Sequence, residues 1–182
     1  RDLWTEYNIP LNVFNEDVAA FARENNYSIE EAGRLIRYKR FREILDKTHA
    51  THIAVAHHRD DQAETIFLNL LRGTGIDGLC GMPGIKDKII RPLLDVSKNE
   101  IEAYIKRNCL SYRTDSSNYE NNYLRNAVRN VIFPEIKQQT GTDIASSLLR
   151  AQRLLKTDRD FLNQYTDEKF KTVLISEEKA KV

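Results

Sequence analysis

The sequence predicts an α/β fold with a mainly parallel sheet, followed by a helical C-terminal part. Short apolar runs such as "HIAVAH", residues 52–57, stand between segments of helical spacing, which is typical of buried parallel strands. A capping-box pattern marks a helix start three times, at Ser28, Asp61 and Ser97, each with a glutamate three residues later. Strands and helices that alternate in this way indicate a parallel sheet covered by helices.

The first half of the chain contains most of the expected strands. Leu11–Phe14 predicts a short strand, and Ser28 begins a helix whose apolar face extends to Leu45. Asp61 begins the clearest helix of the chain, because apolar residues follow it at helical spacing and Gly73 stands where a C-terminal cap belongs.

The second half becomes all-helical. Ile89–Ile90 predicts a short extended piece that Pro92 stops, and Ser97 begins the next helix. A later apolar stripe is ended or kinked at Pro134, and a last long helix is expected over Asp143–Phe170. The expected domains are an α/β domain over residues 1–118 and a helical extension over residues 119–182.

Composition excludes several classes of protein. Apolar residues make up 41% and charged residues 30%, and the net charge is +1, so bulk charge predicts neither nucleic-acid nor membrane binding. No run of 18 apolar residues occurs, so no membrane span is expected. Cys80 and Cys109 form no CxxC pair, which argues against a zinc site or a disulfide scaffold. We expect a reduced, cytoplasmic globular protein.

The stretch "HHRDD", residues 57–61, concentrates chemically active side chains at one place. It follows a predicted parallel strand and enters a helix, which is where ligands bind in open α/β sheets. Such residues at a helix N-terminus could bind a metal–nucleotide, position a reacting group and move protons. A helix cap explains one of the two aspartates and leaves the other, with both histidines, unexplained. The pattern therefore favours a functional site over a cap alone.

Two other stretches are candidates for binding phosphate or RNA. "GTGIDG", residues 73–78, has the letters of a dinucleotide fingerprint but follows a helix, so it predicts either a loop that approaches a ligand or a plain turn. Arg125 and Arg129 share a helix face with Asn126, and their donors suit phosphates and base edges. A solvated helix face is the alternative, although such a face would usually carry glutamates.

Taken together, these blocks resemble one family. "HHRDDQAETIFLNLLRGTGIDGLCGM", then "RPLL" with "SKNEIEAY", then "TDSSN" and "YLRNAVRNVIFPEI" closely resemble the catalytic domain of tRNA(Ile)-lysidine synthetases, in order from about Pro10 to Leu155. The resemblance implies a Rossmann-like sheet of the N-type ATP pyrophosphatase kind. It also implies that ATP activates the C2 oxygen of cytidine 34 in the tRNA(Ile) anticodon, after which the ε-amine of free lysine displaces AMP to form lysidine.

The resemblance also implies residue roles. Asp61 is the candidate ligand of Mg²⁺, and His57 is expected to orient or polarise the adenylated cytidine. Arg129, with Arg125 and Asn126, would stabilise phosphate charge or hold the anticodon base. The base that accepts the lysine proton is left open among His57, Asp60 and Asp61. A short loop is expected to line the nucleotide pocket: Arg72, Gly73, Thr74 and Gly75.

One departure from the family is clear. The family's S-G-G-x-D-S phosphate-binding loop does not occur in this sequence, and upstream strands that would carry it are expected. Three alternatives remain. They are a related tRNA thiolase, which usually needs CxxC motifs; a metal-dependent phosphohydrolase using His57, His58, Asp60 and Asp61; and an anticodon-binding module without ATP chemistry.

Overall fold

A computed structural model describes residues 8–113 and 124–173. The chain divides into two compact units, Arg1–Ile53 and Ala54–Val182. The domain boundary expected after residue 118, and the "TDSSN" block, both lie outside the described residues.

Within residues 8–53, the first unit contains two helices, α1 (Val18–Asn25) and α2 (Ile29–Thr48). The prediction that Ser28 begins a helix is confirmed, since its hydroxyl accepts a hydrogen bond from the Glu31 N–H at 3.1 Å. The prediction of a strand at Leu11–Phe14 is wrong. These residues adopt no regular structure and are largely exposed, so their apolar spacing does not reflect a pleated, half-buried surface.

Helix α1 was not expected from the sequence. Asp17 caps it by accepting a hydrogen bond from the Ala20 N–H at 2.8 Å, and Asn26 ends it in the left-handed conformation. Its buried Ala22 and the buried Ala32 of α2 are small side chains, which lets two helix backbones approach closely. The two helices therefore form a compact helical hairpin.

The sheet is small. It contains β1 (Ile53–Ala54), β2 (Ile85–Lys86) and β3 (Ile89–Ile90) in the order β1-β3-β2. Strands β2 and β3 form an antiparallel hairpin whose turn includes Asp87 at a φ of 54°, a conformation that aspartate tolerates better than most residues. The buried strand expected over residues 52–57 is reduced to two residues, after which the Val55 N–H donates to the Ile90 carbonyl at 3.0 Å.

Helices make up most of the described part of the second unit, which comprises residues 54–113 and 124–173. Those in its first half are α3 (Arg59–Leu71), α4 (Ile76–Leu79) and α5 (Lys98–Arg107). Those in its second half are α6 (Leu124–Ala127), a π-helical turn (Val128–Ile132), α7 (Phe133–Thr140) and α8 (Ile144–Val173). The capping box at Ser97 is confirmed in both directions, and so is Gly73 at the end of α3, with a φ of 73°.

Pro134 does not end its helix. The chain stays helical from α6 through α7, and the π-helical turn ends at Ile132, two residues before the proline. Proline has no backbone N–H, so Pro134 interrupts the regular hydrogen bonding of the helix. A wider π-helical turn is a known way to accommodate such an irregularity. This segment carries Arg125 and Arg129, so the irregular turn lies within the part of the chain that presents both arginines.

The core of the second unit forms around α3. The buried apolar residues of α3 are Ala63, Ile66 and Leu68, and the ring of Phe67 meets the ring of Phe133 edge-on, with 5.3 Å between the ring centroids. Gln62 is buried among them and is paired with Met82 by two hydrogen bonds, 2.9 Å to its carbonyl and 2.7 Å from its N–H. Helix α3 is thus fixed on several sides, which makes its N-terminus a rigid support.

The last helix extends along α3. It runs over Ile144–Val173, within three residues of the predicted ends, and packs against α3 and α4. The Gln152 amide donates to the Cys80 carbonyl at 3.1 Å. No helix in residues 8–113 and 124–173 combines the length and the apolar character needed to cross a membrane.

Candidate active site

The N-terminus of α3 begins earlier than predicted. Asp61 was expected as the cap with Glu64 as its partner, and this is wrong, because the helix begins at Arg59 and His58 is the cap residue. Asp61 is instead the third helical residue, and its Oδ2 accepts a hydrogen bond from the His58 N–H at 2.9 Å. The capping interaction is therefore shifted by one turn, and Glu64 has a different partner.

Asp60 joins two helix N-termini. Its Oδ2 accepts a hydrogen bond from the Lys98 N–H at 2.8 Å, at the first residue of α5. The backbone of the next segment reinforces the junction, since the Arg59 N–H donates to the Val96 carbonyl at 2.8 Å. Both aspartates of the cluster thus have a structural role, because each satisfies an N–H group that a helix start leaves open.

The centre of the site is a buried carboxylate, Glu64, which is 1% exposed. Its two oxygens accept hydrogen bonds from Arg129, at 2.6 Å from Nε to Oε1 and at 2.9 Å from Nη2 to Oε2. The same Nη2 donates to Asp61 Oδ1 at 3.0 Å. One guanidinium therefore links two carboxylates of α3 in the two-pronged geometry that arginine favours.

Arg125 is a second cation beside the same carboxylate. Its Nε lies 3.3 Å from Glu64 Oε2, and its Nη2 donates to the Thr65 hydroxyl at 2.6 Å. The prediction that Arg125 and Arg129 share one helix face is supported by their common partner. A solvated helix face would carry glutamates on the same helix as the two arginines. Here their glutamate partner, Glu64, lies on α3 instead.

Burial and charge act against each other in this cluster. Burial raises the pKa of Glu64 above its ordinary value, and the hydrogen bond and charge of Arg129 oppose that rise. Burial lowers the pKa of Arg129, but the Glu64 hydrogen bond and the charges of Glu64, Asp61 and Asp60 outweigh it, so that its pKa lies above the ordinary value. Arg129 is therefore a permanent positive charge.

A small cavity of about 150 Å³ opens beside these side chains. Its lining brings together cations, carboxylates and an imidazole with two apolar groups. The lining residues are His58, Asp60, Glu64, Lys98, Arg129, Phe133 and Ala145. The cavity thus combines groups that can bind an anion with groups that can accept a proton.

The other residues predicted for the site lie in different places. His57 is half-buried directly before the cap residue and is not among the residues that line this cavity. Asn126 is half-buried on α6 between the two arginines. The loop Arg72–Gly75 follows the far end of α3, about 16 Å along the helix from Asp61 at 1.5 Å per residue. The structure therefore joins Asp61, Arg125 and Arg129 and sets that loop apart.

Mg²⁺ fits this site only in a limited way. The described residues contain no group of three or more His, Cys, Asp or Glu side chains that could hold a metal ion. Mg²⁺ usually takes one or two protein carboxylates and completes its shell with phosphate oxygens and water. Asp61, 14% exposed and already bonded through both oxygens, and Asp60, 46% exposed, could each supply one ligand to a metal carried by a nucleotide.

Sequence reasoning missed two residues of the site. Glu64 was interpreted as a capping partner, and Lys98 received no role, although both line the cavity. A signal for Glu64 was present in its spacing, since it lies three residues after Asp61 on the same side of α3. Lys98 gave no comparable signal, because its position depends on the junction between α3 and α5.

Comparison with known proteins assigns the chain to the PP-loop class. A family model described as a PP-loop domain matches residues 1–136, and the chain belongs to that family. More particularly, it is similar to proteins named tRNA(Ile)-lysidine synthase. It is 42% identical over 167 residues to the one from Porphyromonas gingivalis strain W83, 38% over 171 residues to the one from Caldanaerobacter subterraneus subsp. tengcongensis, and 37% over 170 residues to the one from Bacillus subtilis.

These matches cover most of the chain but a minority of the relatives. They span 91%, 94% and 91% of this chain, and 37%, 37% and 36% of the relatives' own length. The resemblance to tRNA(Ile)-lysidine synthetases that the sequence blocks predict is confirmed.

A solved structure supports the α/β fold class. The U34-tRNA thiolase NcsA from Methanococcus maripaludis, determined with its [4Fe-4S] cluster, matches with a TM-score of 0.62 and 18% identity. The match covers 85% of this chain and 55% of that one. At this identity the likeness establishes the fold alone.

Proposed function

We propose that this protein takes part in the ATP-dependent ligation of lysine to C2 of cytidine 34 in a tRNA(Ile) anticodon, which forms lysidine. In the first step the C2 oxygen attacks the α-phosphorus of ATP, and pyrophosphate leaves. In the second step the ε-nitrogen of free lysine bonds to C2, the C2–O bond breaks, AMP leaves and the amine loses its extra protons. The membership of the PP-loop family and the names of the relatives support this assignment.

The observation that carries the proposal is the cluster of Asp61, Glu64 and Arg129. Both steps place negative charge on a phosphate group in the transition state, and a fixed guanidinium stabilises such charge without reorganising. Arg129 is fixed by two hydrogen bonds to Glu64 and one to Asp61, and it lines the cavity. Its position relative to α3 is therefore set before any substrate arrives.

Arg125 and Asn126 have a related role in the proposal. They lie on the same helical segment as Arg129, and their donors match the edges of a base or the phosphates of an anticodon loop. Only some of the Arg125 donors are used within the protein, because Nη2 donates to the Thr65 hydroxyl and Nε lies 3.3 Å from Glu64. We assign the contacts with the anticodon to this segment.

The second step needs a proton acceptor. A free lysine amine has a pKa near 10.4, so its neutral form at pH 7 lies about 4.6 kcal/mol above the charged form. Asp60 is the most exposed carboxylate of the cavity, at 46%, whereas Glu64 is buried behind Arg129. We therefore favour Asp60 over Asp61 as the base and retain His57 as the group that orients the cytidine.

Mg²⁺, when bound with ATP, would neutralise charge on the triphosphate and on the departing pyrophosphate. Asp61 would hold it with one oxygen while keeping its bond to the His58 N–H. The loop Arg72–Gly75 would contact the nucleotide. Because tRNA and ATP are the substrates in this proposal, we also propose a cytoplasmic location.

The proposal is tested with the full-length protein, ATP, radiolabelled lysine and a tRNA(Ile) transcript that carries C34. We expect one lysine to be incorporated per tRNA, with AMP and pyrophosphate released in equal amounts. A transcript with U34 and a reaction without ATP are the controls. Absence of incorporation with C34, or equal incorporation with U34, would exclude lysidine formation.

A further inference from the structure

A second cavity of about 160 Å³ in the same unit has an excess of positive charge. Arg59, Arg91, Arg153 and Lys156 line it, and Asp95 is its only carboxylate. It shares no lining residue with the cavity beside Arg129. Four cations against one carboxylate around a small void repel each other, which favours the binding of an anion.

Helix α3 separates the two cavities. Arg59 and Gln62 line the cationic one and lie three residues apart, on one row of the helix. Asp60 and Glu64 line the other and lie four residues apart, on a neighbouring row. The first turns of α3 therefore present carboxylates to one cavity and a guanidinium to the other.

The cations of this second cavity are weakly paired within the protein. Arg59 lies 3.7 Å from Glu100, beyond hydrogen-bond distance. The described residues provide no ion pair for Arg153 or Lys156, which stand three residues apart on α8 and are exposed. Charges that converge without partners are what an anion site requires before its ligand binds.

Arg91 supplies the most specific feature. Its Nη1 donates to the Pro83 carbonyl at 2.8 Å, and its backbone N–H donates to the Gly84 carbonyl at 2.8 Å, so the side chain is anchored. Its Nε is buried and meets no hydrogen-bond acceptor among the described residues. A buried donor without an acceptor is rare in folded proteins and calls for a ligand or a bound water.

We propose that the cavity lined by Arg59, Arg91, Arg153 and Lys156 is a binding site for a phosphate group. Arginine guanidinium groups match the geometry of phosphate oxygens, and the cavity is far larger than one water needs. Arg91 lines the cavity and would supply a guanidinium anchored at Pro83, while Arg153 and Lys156 would supply charge from α8. Because the site shares no residue with the Arg129 cavity, it binds and orients rather than reacts.

The phosphate has two sources, the backbone of an RNA or a nucleotide, and the test separates them. The double variant Arg153→Gln, Lys156→Gln is compared with the control Lys169→Gln, Lys171→Gln, which removes the same charge about 23 Å further along α8. Binding of an anticodon stem-loop RNA and of ATP is measured with the full-length protein at several salt concentrations. Melting temperatures verify that both variants are folded, which we expect because all four side chains are exposed.

We expect the cavity variant to lose about tenfold in affinity for one of the two ligands and the control to lose less than twofold. If the source is RNA, the slope of log K against log salt should also fall by about 1. Unchanged affinity for both ligands, or an equal loss in the control, would overturn the site. Both ligands are substrates of the proposed function, but the binding measurements do not require turnover. Failure of lysine transfer with phosphate binding intact would overturn only the function.

Discussion

Arg129 donates two hydrogen bonds to Glu64, from Nε to Oε1 at 2.6 Å and from Nη2 to Oε2 at 2.9 Å, although the two residues are 65 positions apart in the sequence. This ion pair joins the irregular helical segment to α3. The same Nη2 also donates to Asp61, so the position of the Asp61 carboxylate is fixed as well. Glu64 does not reach the substrate in our proposal. It acts as a positioning residue, because it fixes the guanidinium that does.

Glu64→Gln should lower both stability and turnover. The amide keeps the shape but removes the charge that holds two arginines, and breaking a buried ion pair costs 3–5 kcal/mol. Since both arginines are 29% exposed, we expect roughly 2–4 kcal/mol. Urea unfolding measures the loss. Surface substitutions usually change the unfolding free energy by less than about 0.5 kcal/mol. A change of that size in Glu64→Gln would show that water replaces the ion pair at little cost.

The sequence predicted the helices of this protein better than its strands. Ser28, Ser97 and Gly73 act as caps because capping depends on a few consecutive residues, which a pattern can capture. The strand expected at Leu11–Phe14 is absent because pairing depends on a distant partner that local spacing does not specify. Helix α1 was missed because a single aspartate, Asp17, is a weak start signal beside that expected strand.

Arg129→Lys tests the geometry of the cluster separately from its charge. Lysine keeps the positive charge but cannot bond both oxygens of Glu64 while also reaching Asp61. We expect turnover with tRNA to fall at least tenfold, with ATP affinity changed less than threefold. Arg107→Lys, on exposed α5, is the matched control and should behave as the unaltered protein. Equal losses in ATP binding and tRNA turnover would show that Arg129 binds the nucleotide in the ground state and does not act mainly on the charge of the transition state.

Asp61→Asn should abolish or strongly reduce turnover at a modest cost in stability. Asparagine has one oxygen, so it can accept from the His58 N–H or from Arg129 but not from both. Losing one hydrogen bond to a charged partner costs about 1.5–3 kcal/mol. Thermal melting and single-turnover lysine transfer measure the two effects. Near-normal turnover in this variant would remove Asp61 from the chemistry and leave it as a structural link.

The site shows why residue types alone did not define roles. The spacing of His57–Asp61 located the right helix N-terminus, since a concentration of polar residues after an apolar run is visible in sequence. The partners of those residues could not be predicted, because Asp60 bonds to α5 and Asp61 to Arg129, 38 and 68 residues away. Long-range pairing of this kind is set by the packing of helices and not by local pattern.

Gly81→Ala should destabilise the loop that follows α4. A methyl group there would stand 2.8 Å from the side chain of Gln62, and Gly81 has a φ of 67°, where alanine is strained. We expect a loss of about 1–3 kcal/mol in unfolding free energy. Gly84→Ala is the control, because its methyl group would meet nothing within 4 Å and its φ is not positive. Equal stability of the two variants would show that Gln62 moves aside freely.

The capping box of α5 should give a defined pH dependence. Hydrogen bonds from the Ser97 hydroxyl and N–H lower the pKa of Glu100 below its ordinary value of 4.5. A lowered pKa in the folded state means that the ionised form stabilises the fold at pH values above 4.5. That contribution is lost as the pH falls through the folded pKa.

Glu100→Gln removes the titration, so its stability difference from the unaltered protein should be largest at neutral pH and shrink in acid. Urea unfolding between pH 7 and pH 3 measures that difference, and Ser97→Ala should reduce the same pH-dependent part. A difference that stays constant over this range would show that the Ser97 bonds do not favour the ionised carboxylate.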